Sequence, residues 1–357
     1  GTKNLQEQLY FRDLPKVLNA LALPLQTALL KGRANYLCLF RLTQHYQHVP
    51  VQDPLLIQDL SLIKKWSSET HSGDIGELTY IAEDSKALPY VTSTSDNCLG
   101  KDCPDFEDCY LLKARKKAMN ADLVVVNMNY RLLGDNNNST RVNEIVEDAL
   151  GAVLWVKDHI QNYGGDPAKI AVTGDSAGGH LASMVMLAGR SLDSKGFTPQ
   201  SQKFTPSYLP KGKTAEQVAA ADGARVQAVI LSYTAFDLLQ SAKGGFETAQ
   251  NPFWKWGNAS PRGLFGDGIS VDSHEQYYKA VSPLYLLPEA GYKLPPQFVL
   301  VGSKDGLTTP EVASAYVSSL KAAGQQNWGK MQLALATIRA ARAQGQQVTA
   351  DIYPYVN

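Results

Sequence analysis

The fold is decided by one stretch of the sequence, KIAVTGDSAGGH, which spans Lys169–His180. It opens with a short run of apolar, β-favouring residues that is typical of a buried strand. Its centre, Gly174–Gly178, fits the pattern G-x-S-x-G, in which a serine stands on a sharp turn between a strand and a helix. The small and apolar residues that follow favour a helix. We therefore predict a strand, a tight turn that carries Ser176, and a helix.

This turn has a physical reason to use glycine. A sharp strand-to-helix turn holds its serine in a strained backbone conformation, and flanking side chains would clash there. The turn lifts the Ser176 hydroxyl to one end of a sheet, where the N–H groups at the start of the next helix also point. An oxyanion that formed at this place would be stabilised. The stretch therefore predicts a nucleophilic serine, with a chance glycine turn as the alternative.

The composition argues against several classes of protein. The 357 residues carry 34 basic and 34 acidic side chains, so the formal net charge is zero. A neutral chain of ordinary composition gives no indication of a nucleic-acid or acidic partner. No apolar run is long enough to cross a membrane, and the first residues lack the basic-then-apolar pattern of a signal peptide. We therefore expect no nucleic-acid partner and no membrane span. The length fits either one α/β domain with insertions or two domains.

Cysteines and glycosylation sequons bear on the compartment. Three cysteines share a polar loop and the fourth lies far upstream: Cys98, Cys103, Cys109 and Cys38. Two disulfides and free thiols both fit this spacing, whereas zinc is disfavoured because the loop has no nearby histidine and no C-x-x-C pair. Three triplets fit the sequon, beginning at Asn137, Asn138 and Asn258. These features tilt the expectation slightly towards the secretory pathway, and an intracellular protein with free cysteines stays an equal alternative.

Residues 1–57 are predicted to form a helical arm or cap. Leucines recur at helical spacing between Leu5 and Leu42, and Pro24 divides the run. Three interpretations stay open: a packed amino-terminal helix, a cap over a pocket, or helices that dock a protein partner. Residues 58–357 are then expected to form the α/β domain.

Short apolar runs after residue 57 predict strands. Two of them, Leu60–Trp66 and Glu77–Ile81, flank a Ser-Gly-Asp turn signal and suggest an antiparallel pair. Leu88–Thr92 is a third candidate strand. Leu123–Tyr130 is apolar without alternation, as in a strand that is covered on both faces. The α/β domain is therefore expected to begin with these strands.

The second half of the chain alternates strands and helices. A helix is predicted from Val142 to Ile160, with N-caps offered by Asn138–Thr140. A strand, this helix, the strand before Ser176 and the helix after it indicate right-handed crossovers and a parallel sheet. Later elements are expected in this order: strand Val226–Tyr233, strand Gln297–Gly302, helix Pro310–Ala323, helix Met331–Ala343 and strand Val348–Tyr353.

Two insertions interrupt this series, at about residues 190–222 and 235–280. The second carries five aromatic residues, which either line an acyl or aryl pocket or pack a small core of their own: Phe246, Phe253, Trp254, Trp256 and Phe265.

Three stretches resemble the α/β-hydrolase superfamily, in particular the hormone-sensitive-lipase-like esterases. They are the turn at Gly174–Gly179, the sequences NYRL at Asn129–Leu132 and YGGDP at Tyr163–Pro167, and the sequences SPLY at Ser282–Tyr285 and FVLVGSKDGL at Phe298–Leu307. The resemblance implies an α/β-hydrolase fold, with a mostly parallel central sheet and helices on both faces.

The same resemblance implies a set of functional residues. Ser176 is the implied nucleophile, Asp305 the implied triad acid, and the Ala177 N–H an implied donor to the oxyanion. A serine hydroxyl is a poor nucleophile until a histidine takes its proton, and the acid orients that histidine. The implied reaction is hydrolysis of a carboxylic ester with a small or medium acyl group, without a metal or an organic cofactor.

The chain departs from the family pattern in two ways. Relatives carry a His-Gly-Gly-Gly-type loop after their third strand, whereas the matching region here is Tyr90–Cys98 and holds no such motif. No histidine follows Asp305, and the six in the sequence are His45, His48, His71, His159, His180 and His274. We expect His180 to be packed and weigh His274 as a substitute base. Two hypotheses follow: a serine esterase whose histidine is not in this sequence, or an inactive α/β-hydrolase-like protein with a structural or interaction role.

Overall fold

The computed structural model describes residues 8–20, 24–46, 53–82, 85–94, 96–256, 259, 261–288, 291–302 and 304–325. The chain divides into two compact units. The amino-terminal unit comprises Thr2–Asn129 and Asn162–Gly165, and the carboxy-terminal unit comprises Tyr130–Gln161 and Asp166–Asn357. The boundary expected after residue 57 falls inside the amino-terminal unit. Within the described ranges, no helix combines the length and the hydropathy that a membrane crossing requires.

The amino-terminal unit is mostly helical and contains two parallel strands. A π-helix, Gln8–Asp13, precedes the α-helices α1 (Leu14–Ala20), α2 (Leu39–Tyr46), α3 (Pro54–Trp66), α4 (Leu88–Val91) and α5 (Tyr110–Met119). Short 3-10 turns lie at Arg33–Asn35, Ile75–Glu77 and Gly100–Asp102. Strand β1 (Thr27–Lys31) pairs in parallel with β2 (Leu123–Asn127). Helix α5 leads into β2 and packs on β1.

Helix α3 illustrates why this unit is helical. The Asp53 side chain caps it by accepting a hydrogen bond from the Leu56 N–H at 3.2 Å, and Pro54 occupies the first turn. Apolar side chains then recur every three or four residues and are buried in the core of the unit: Leu56, Leu60, Ile63 and Trp66.

Several predictions for this unit are wrong. Leu60–Trp66 belongs to α3, Leu88–Thr92 falls largely in α4, and Glu77–Ile81 contains no strand. A short apolar run fits both the helical and the strand period, so the sequence alone does not separate them. The reverse error occurs at Leu29 and Leu30, which the leucine spacing assigned to a helix and which lie in β1.

The carboxy-terminal unit is built on a three-stranded parallel sheet. The strands are β3 (Ala171–Asp175), β4 (Ala228–Ser232) and β5 (Gln297–Leu300), in the order β3-β4-β5. The helices are α6 (Val142–His159), α7 (Ala177–Ala188), α8 (Ala215–Ala220), α9 (Leu238–Lys243), α10 (Phe253–Trp256), α11 (Glu275–Ala280) and α12 (Pro310–Ala322). Shorter helical turns lie at Asp135–Asn138 and Pro283–Tyr285, and a further one, Ile160–Tyr163, has its last two residues in the amino-terminal unit.

Helix α7 is the central helix of this unit. Its residues from Gly179 to Ala188 are all buried, and it packs on β3, β4 and α6. A helix that is apolar nearly all round is expected inside a core. Strand β3, helix α7 and strand β4 thus form the predicted parallel strand–helix–strand unit. Strand β2 instead pairs with β1, so among the described residues the predicted crossover from Leu123–Tyr130 into β3 is wrong.

Helix α6 starts after the residues that were predicted to cap it. Its N-cap residue is Arg141, whose N–H donates to the Glu144 carboxylate at 2.7 Å. The predicted caps lie in a turn in which three consecutive asparagines have positive φ angles of 53°, 56° and 61°: Asn136, Asn137 and Asn138. Asparagine tolerates this left-handed region better than most residues. The polar residues before α6 therefore shape the turn and do not cap the helix.

Aromatic residues of the two insertions pack against one another. Phe197 of the first insertion stacks on Phe265 of the second, with ring centroids 5.9 Å apart. Tyr278 makes an edge-to-face contact with Phe265 at 5.3 Å. Trp254 is buried and donates its indole N–H to the Phe246 carbonyl at 2.9 Å. The structure therefore favours a small aromatic core over a pocket lined by exposed rings.

The later elements largely agree with the sequence. Strands β4 and β5 confirm the predicted strands, and α12 confirms the predicted helix Pro310–Ala323. The predicted helix Met331–Ala343 and strand Val348–Tyr353 lie outside the described residues, as do Asn258 and His48.

Candidate active site

Ser176 lies in the strained turn that the sequence predicts. It follows β3 directly and is the N-cap residue of α7, with φ 53° and ψ −114°. Its N–H donates to the Ser232 carbonyl of β4 at 2.9 Å, and its own carbonyl accepts from the His180 N–H at 3.0 Å. A positive φ is rare for a residue with a Cβ and clusters at functional sites. Two backbone hydrogen bonds therefore hold the serine at the carboxyl end of the sheet.

Only some of the glycines around Ser176 are sterically required. A Cβ at Gly174 would lie 2.2 Å from the Gly178 backbone, and a Cβ at Gly179 would lie 2.1 Å from Thr234 Oγ1. A Cβ at Gly178 would meet no atom within 4 Å. The expectation that both glycines flanking Ser176 in the motif avoid a clash is thus correct for Gly174 and wrong for Gly178. Gly179 directly follows the five-residue motif. It is the second position where the missing Cβ lets a neighbouring residue, Thr234, come close to the helix.

Ala177 is the first residue of α7. The first N–H groups of a helix have no intrahelical acceptor, and they carry the partial positive charge of the helix dipole. The Ala177 N–H follows Ser176 directly and is therefore suited to stabilise negative charge beside the serine.

Asp305 follows β5 and is held by the turn after it. Its Oδ1 accepts hydrogen bonds from the N–H groups of Leu307 at 2.9 Å and Thr308 at 3.0 Å. Its Oδ2 accepts from the Thr308 hydroxyl at 3.0 Å. Burial by itself raises the pKa of Asp305, but these three hydrogen bonds together outweigh it and lower the pKa below its ordinary value. The side chain is therefore a carboxylate at neutral pH.

The parallel sheet places these residues at one end. Ser176 follows β3, and Asp305 lies in the turn that follows β5. The carboxyl ends of parallel strands meet at the same end of the sheet, which is where α/β folds bind their ligands. Between them lies β4, whose last residue Ser232 is opposite both Asp175 and Leu300.

The histidine nearest to Ser176 in the chain is packed, as predicted. His180 is buried in α7, and its Nε2 lies 2.7 Å from the Val281 carbonyl. Burial lowers the pKa of His180 to about 4, although this hydrogen bond acts in the opposite direction. The ring is therefore neutral, and its Nε2 donates to a backbone carbonyl. It has no free Nε2 lone pair for a serine proton.

The other described histidines of this unit also have partners of their own. His159 Nδ1 lies 2.9 Å from the Trp155 carbonyl, and its ring stacks on the indole of Trp155. His274 Nδ1 lies 2.8 Å from the Ser273 hydroxyl, and its ring contacts Tyr277 edge to face. These contacts give no support to His274 as a substitute base.

Tyr233 is a residue of this site that the sequence did not reveal. It follows β4 directly, has φ 36°, and donates its N–H to the Leu300 carbonyl of β5 at 2.6 Å. Burial first, then the charge of Asp175 and last the charge of Asp305 raise the pKa of Tyr233 to about 12. The only signal in the sequence was its position directly after a strand that neighbours β3.

The four cysteines of the amino-terminal unit are all free thiols, so neither of the two possible disulfides is formed. Burial raises the pKa of Cys38, and the nearby charges of Cys103, Cys109 and Cys98 raise it further. Thiolates are ligands for soft metals. Within the described residues, however, no three or more Cys, His, Asp or Glu side chains are arranged to hold a metal ion.

Known proteins of two kinds are similar to this chain. The ATP-dependent DNA helicase YoaA of Escherichia coli (strain K12) is 55% identical over 130 residues, which is 36% of this chain and 20% of the helicase. The probable carboxylic ester hydrolase LipM of Mycobacterium tuberculosis is 31% identical over 185 residues, which is 50% of this chain and 34% of LipM. The chain thus spans about a fifth of the first relative and about a third of the second.

A solved esterase structure and a family model of esterases are also similar to this chain. The apo form of Thermogutta terrifontis esterase 2 is 22% identical, with a TM-score of 0.37 and 62% of each chain covered. The family model BD-FAE, which describes an α/β-hydrolase-like esterase family, matches residues 106–320. That span includes β3, β4, β5, Ser176 and Asp305. Because the match covers more than half of the sequence, the chain belongs to the BD-FAE family and has the α/β-hydrolase fold.

Proposed function

We propose that the carboxy-terminal unit hydrolyses carboxylic esters, with Ser176 as the nucleophile. The observation that carries the proposal is the backbone of Ser176, which has φ 53° between a strand and a helix, with close approach at Gly174 and Gly179. This conformation presents the hydroxyl at the carboxyl end of the sheet. The similarity to LipM, described as a probable carboxylic ester hydrolase, supports the same reaction.

In the proposed reaction, Ser176 Oγ forms a bond to the ester carbonyl carbon, and the electron pair of the carbonyl moves to its oxygen. The Ala177 N–H donates a hydrogen bond to that oxyanion, helped by the dipole of α7. Collapse of the intermediate expels the alcohol, which receives the serine proton through the base. Water then cleaves the acyl-serine and releases the acid.

The proposal assigns Asp305 to the acid of the triad. Its carboxylate is ionised and lies after β5, so it could orient a histidine at the same end of the sheet. The described histidines of this unit bond elsewhere, and no histidine follows Asp305 in the sequence. The proposal therefore assigns the role of the base to none of these described histidines. The proposed substrate is an ester with a small or medium acyl group.

A fluorophosphonate probe tests this proposal. We expect an adduct on Ser176, identified by mass spectrometry, and hydrolysis of p-nitrophenyl acetate that falls by at least about 1,000-fold in Ser176→Ala. Ser191→Ala serves as the matched control and should keep both signals. Absence of the adduct together with equal hydrolysis by the Ser176→Ala variant would contradict the proposal. That result would favour an inactive α/β-hydrolase-like protein with a structural or interaction role.

We propose a second function for the amino-terminal unit, which is contact with nucleic acid. The 130 residues that resemble the helicase YoaA match the length of this unit, and the family model of the esterases begins only at residue 106. Helix α5 carries four basic residues within one and a half turns: Lys113, Arg115, Lys116 and Lys117. The exposed ion pairs of Lys113 with Asp108 and of Lys116 with Glu107 are weak competitors for phosphate. Since only a fifth of the helicase is matched, unwinding is not part of the proposal.

Binding of a fluorescein-labelled, single-stranded deoxythymidine oligomer to the full chain tests this second function. We expect an affinity that falls with salt and that the triple variant Lys113→Ala, Lys116→Ala, Lys117→Ala weakens by roughly tenfold at low salt. Lys169→Ala, Lys211→Ala, Lys213→Ala removes the same charge from exposed positions of the other unit. Equal loss in both variants would mean non-specific attraction, and would restore the expectation that this neutral chain has no nucleic-acid partner.

A further inference from the structure

His180 links the helix that follows Ser176 to a residue 101 positions later in the chain. Its N–H donates to the Ser176 carbonyl at 3.0 Å, and its buried ring donates from Nε2 to the Val281 carbonyl at 2.7 Å. A carbonyl oxygen only accepts, so the proton of the neutral imidazole stays on Nε2. The first turn of α7 is therefore tied to Val281, which is the C-cap residue of α11.

Ser282, the next residue, joins two helices. It is buried, and its Oγ donates to the Tyr278 carbonyl of α11 at 2.7 Å. The same oxygen accepts from the N–H groups of Leu238 at 2.9 Å and Leu239 at 3.3 Å, which are the first two residues of α9. The first N–H groups of a helix need such an acceptor, and here it comes from a residue 44 and 43 positions away. One hydroxyl thus fixes the end of α11 against the start of α9.

The turn Pro283–Tyr285, which completes the sequence SPLY, packs against two helices. One is α7, whose N-cap residue is Ser176. The other is α12, whose N-cap residue Thr309 comes directly after the residues that hold Asp305. The turn therefore contacts both the helix after the proposed nucleophile and the helix after the proposed acid.

Contacts continue from this turn to the strand before Asp305. The Leu284 N–H donates to the Phe236 carbonyl at 3.0 Å. The Phe236 ring stacks on Tyr316 of α12, with ring centroids 4.0 Å apart. The Tyr316 hydroxyl donates to Oε1 of Gln297, the first residue of β5, at 2.9 Å. Phe236, Tyr316 and Gln297 are all buried. Since a close-packed interior transmits strain, a shift of the turn is passed on to β5.

We propose that His180 and Ser282 are positioning residues that fix Ser176 relative to Asp305. This inference rests on the proposed ester hydrolysis. His180 acts through the first turn of α7, Ser282 acts through the helices that it joins, and neither needs to touch the substrate. Because a buried donor or acceptor without a partner is costly, these bonds favour one arrangement of the elements around the site. A small displacement of the reacting groups lowers the rate of the chemical step more than it weakens substrate binding.

Two substitutions of His180 separate its hydrogen bond from its packing. His180→Leu removes the donor and keeps an apolar side chain, whereas His180→Gln keeps an N–H donor. For p-nitrophenyl acetate we expect kcat to fall by roughly 10- to 100-fold in His180→Leu, with KM changed less than about threefold. In His180→Gln, kcat should recover to within about threefold of wild type. His159→Leu is the control and should keep the wild-type kcat, because His159 Nδ1 also lies 2.9 Å from a backbone carbonyl, that of Trp155 in its own helix.

Ser282→Ala tests the second residue, and it decides the question if His180→Leu does not fold. We expect a loss of kcat of the same size. Its control is Ser183→Ala, because the Ser183 hydroxyl is equally buried but donates to the His180 carbonyl within α7 at 2.7 Å. A wild-type kcat in His180→Leu or Ser282→Ala, or an equal loss in the controls, would overturn the inference. An inactive wild type would overturn only the proposed function.

Amide hydrogen exchange tests the positioning without any activity. His180→Leu and Ser282→Ala should speed exchange at the Ser176 N–H and at the Thr308 N–H, which donates to Asp305. His180→Gln should restore slow exchange at both amides, and Ser183→Ala should leave both unchanged. If neither amide responds in the first two variants, His180 and Ser282 do not position the site, and the inference fails whether or not the protein hydrolyses esters.

Discussion

The Glu147 carboxylate accepts a hydrogen bond from the Thr205 N–H at 3.0 Å, and this contact ties helix α6 to the first insertion. The Glu147 carbonyl also accepts from the Ser207 N–H at 3.0 Å. Burial raises the pKa of Glu147 from 4.5 to about 7, although the hydrogen bond from Thr205 partly opposes it. The folded protein therefore holds a proton at this site that the unfolded chain releases near pH 4.5.

The first prediction concerns stability against pH. A raised pKa contributes stability that is fully present below pH 4.5 and is lost as the pH rises through about 7. We expect the free energy of unfolding, measured by urea denaturation, to fall by about 2 kcal/mol between pH 5 and pH 8 through this group. Glu147→Gln should remove that decline.

The control residue for this prediction is Glu216, whose pKa is lowered and not raised. Hydrogen bonds with the backbone and side chain of Ser194 help to lower the pKa of Glu216 to about 2. Glu216→Gln should therefore leave the decline between pH 5 and pH 8 intact. A decline of the same size in Glu147→Gln would show that another group is responsible.

The second prediction separates the glycines of the turn. Gly178→Ala should be neutral or stabilise the protein by up to about 1 kcal/mol, because the position is open and alanine favours a helix. Gly179→Ala should destabilise it by roughly 1–3 kcal/mol, because the new Cβ meets Thr234 Oγ1. Thermal and urea unfolding measure both effects. Adding Thr234→Ala to the Gly179→Ala variant should restore part of the lost stability. If the double variant is as unstable as Gly179→Ala alone, the new Cβ does not clash with Thr234.

The third prediction concerns the ionisation of Asp305. Thr308→Val removes the hydroxyl that donates to Asp305 Oδ2 at 3.0 Å. One hydrogen bond to a charged group is worth about 1 kcal/mol or slightly more, so the pKa of Asp305 should rise by about one unit. Carbon-13 NMR of the carboxyl group measures this shift. Thr248→Val, whose hydroxyl donates to the Gly245 carbonyl at 2.8 Å, should leave the Asp305 titration unchanged.

The lowered pKa of Asp305 also affects how stable the folded protein is in acid. Its lowered pKa contributes stability above the ordinary pKa, and this contribution is lost as the pH falls through the folded value. Thr308→Val should therefore reduce the stability near neutral pH more than it does at pH 2. A uniform loss at both pH values would assign the effect of Thr308 to packing and not to the carboxylate.

The fourth prediction concerns the thiols of the amino-terminal unit. All four cysteines should react with iodoacetamide in the unfolded protein without prior reduction, since none forms a disulfide. In the folded protein Cys38 should react slowly at pH 8, because its raised pKa leaves little thiolate. Mass spectrometry of the alkylated peptides measures the rates, and the ratio between folded and unfolded protein for Cys38 is the test. A Cys38 that reacts equally fast in both states would contradict the half-buried environment that raises its pKa.

The sequence by itself predicted the stretch around Ser176, because its information is local. A β-favouring run, a glycine turn and a small-residue helix need no distant partner to be recognised, and β3, Ser176 and α7 lie where they were expected. The strand before Asp305 was predicted for the same reason. Packing of His180 also followed from its place on the apolar helix after the serine.

Pairing and packing required the tertiary structure. The partner of Leu123–Asn127 is β1, about a hundred residues earlier, and the position of Leu60–Trp66 in a helix depends on which face the core covers. The role of Gly179 in place of Gly178 depends on Thr234, and the place of Tyr233 beside Ser176 depends on the register of β3 and β4. Contacts of this kind join residues that are distant in sequence, so no local pattern records them. The sequence thus determined the turn that presents Ser176, and the three-dimensional packing alone decided which residues hold it.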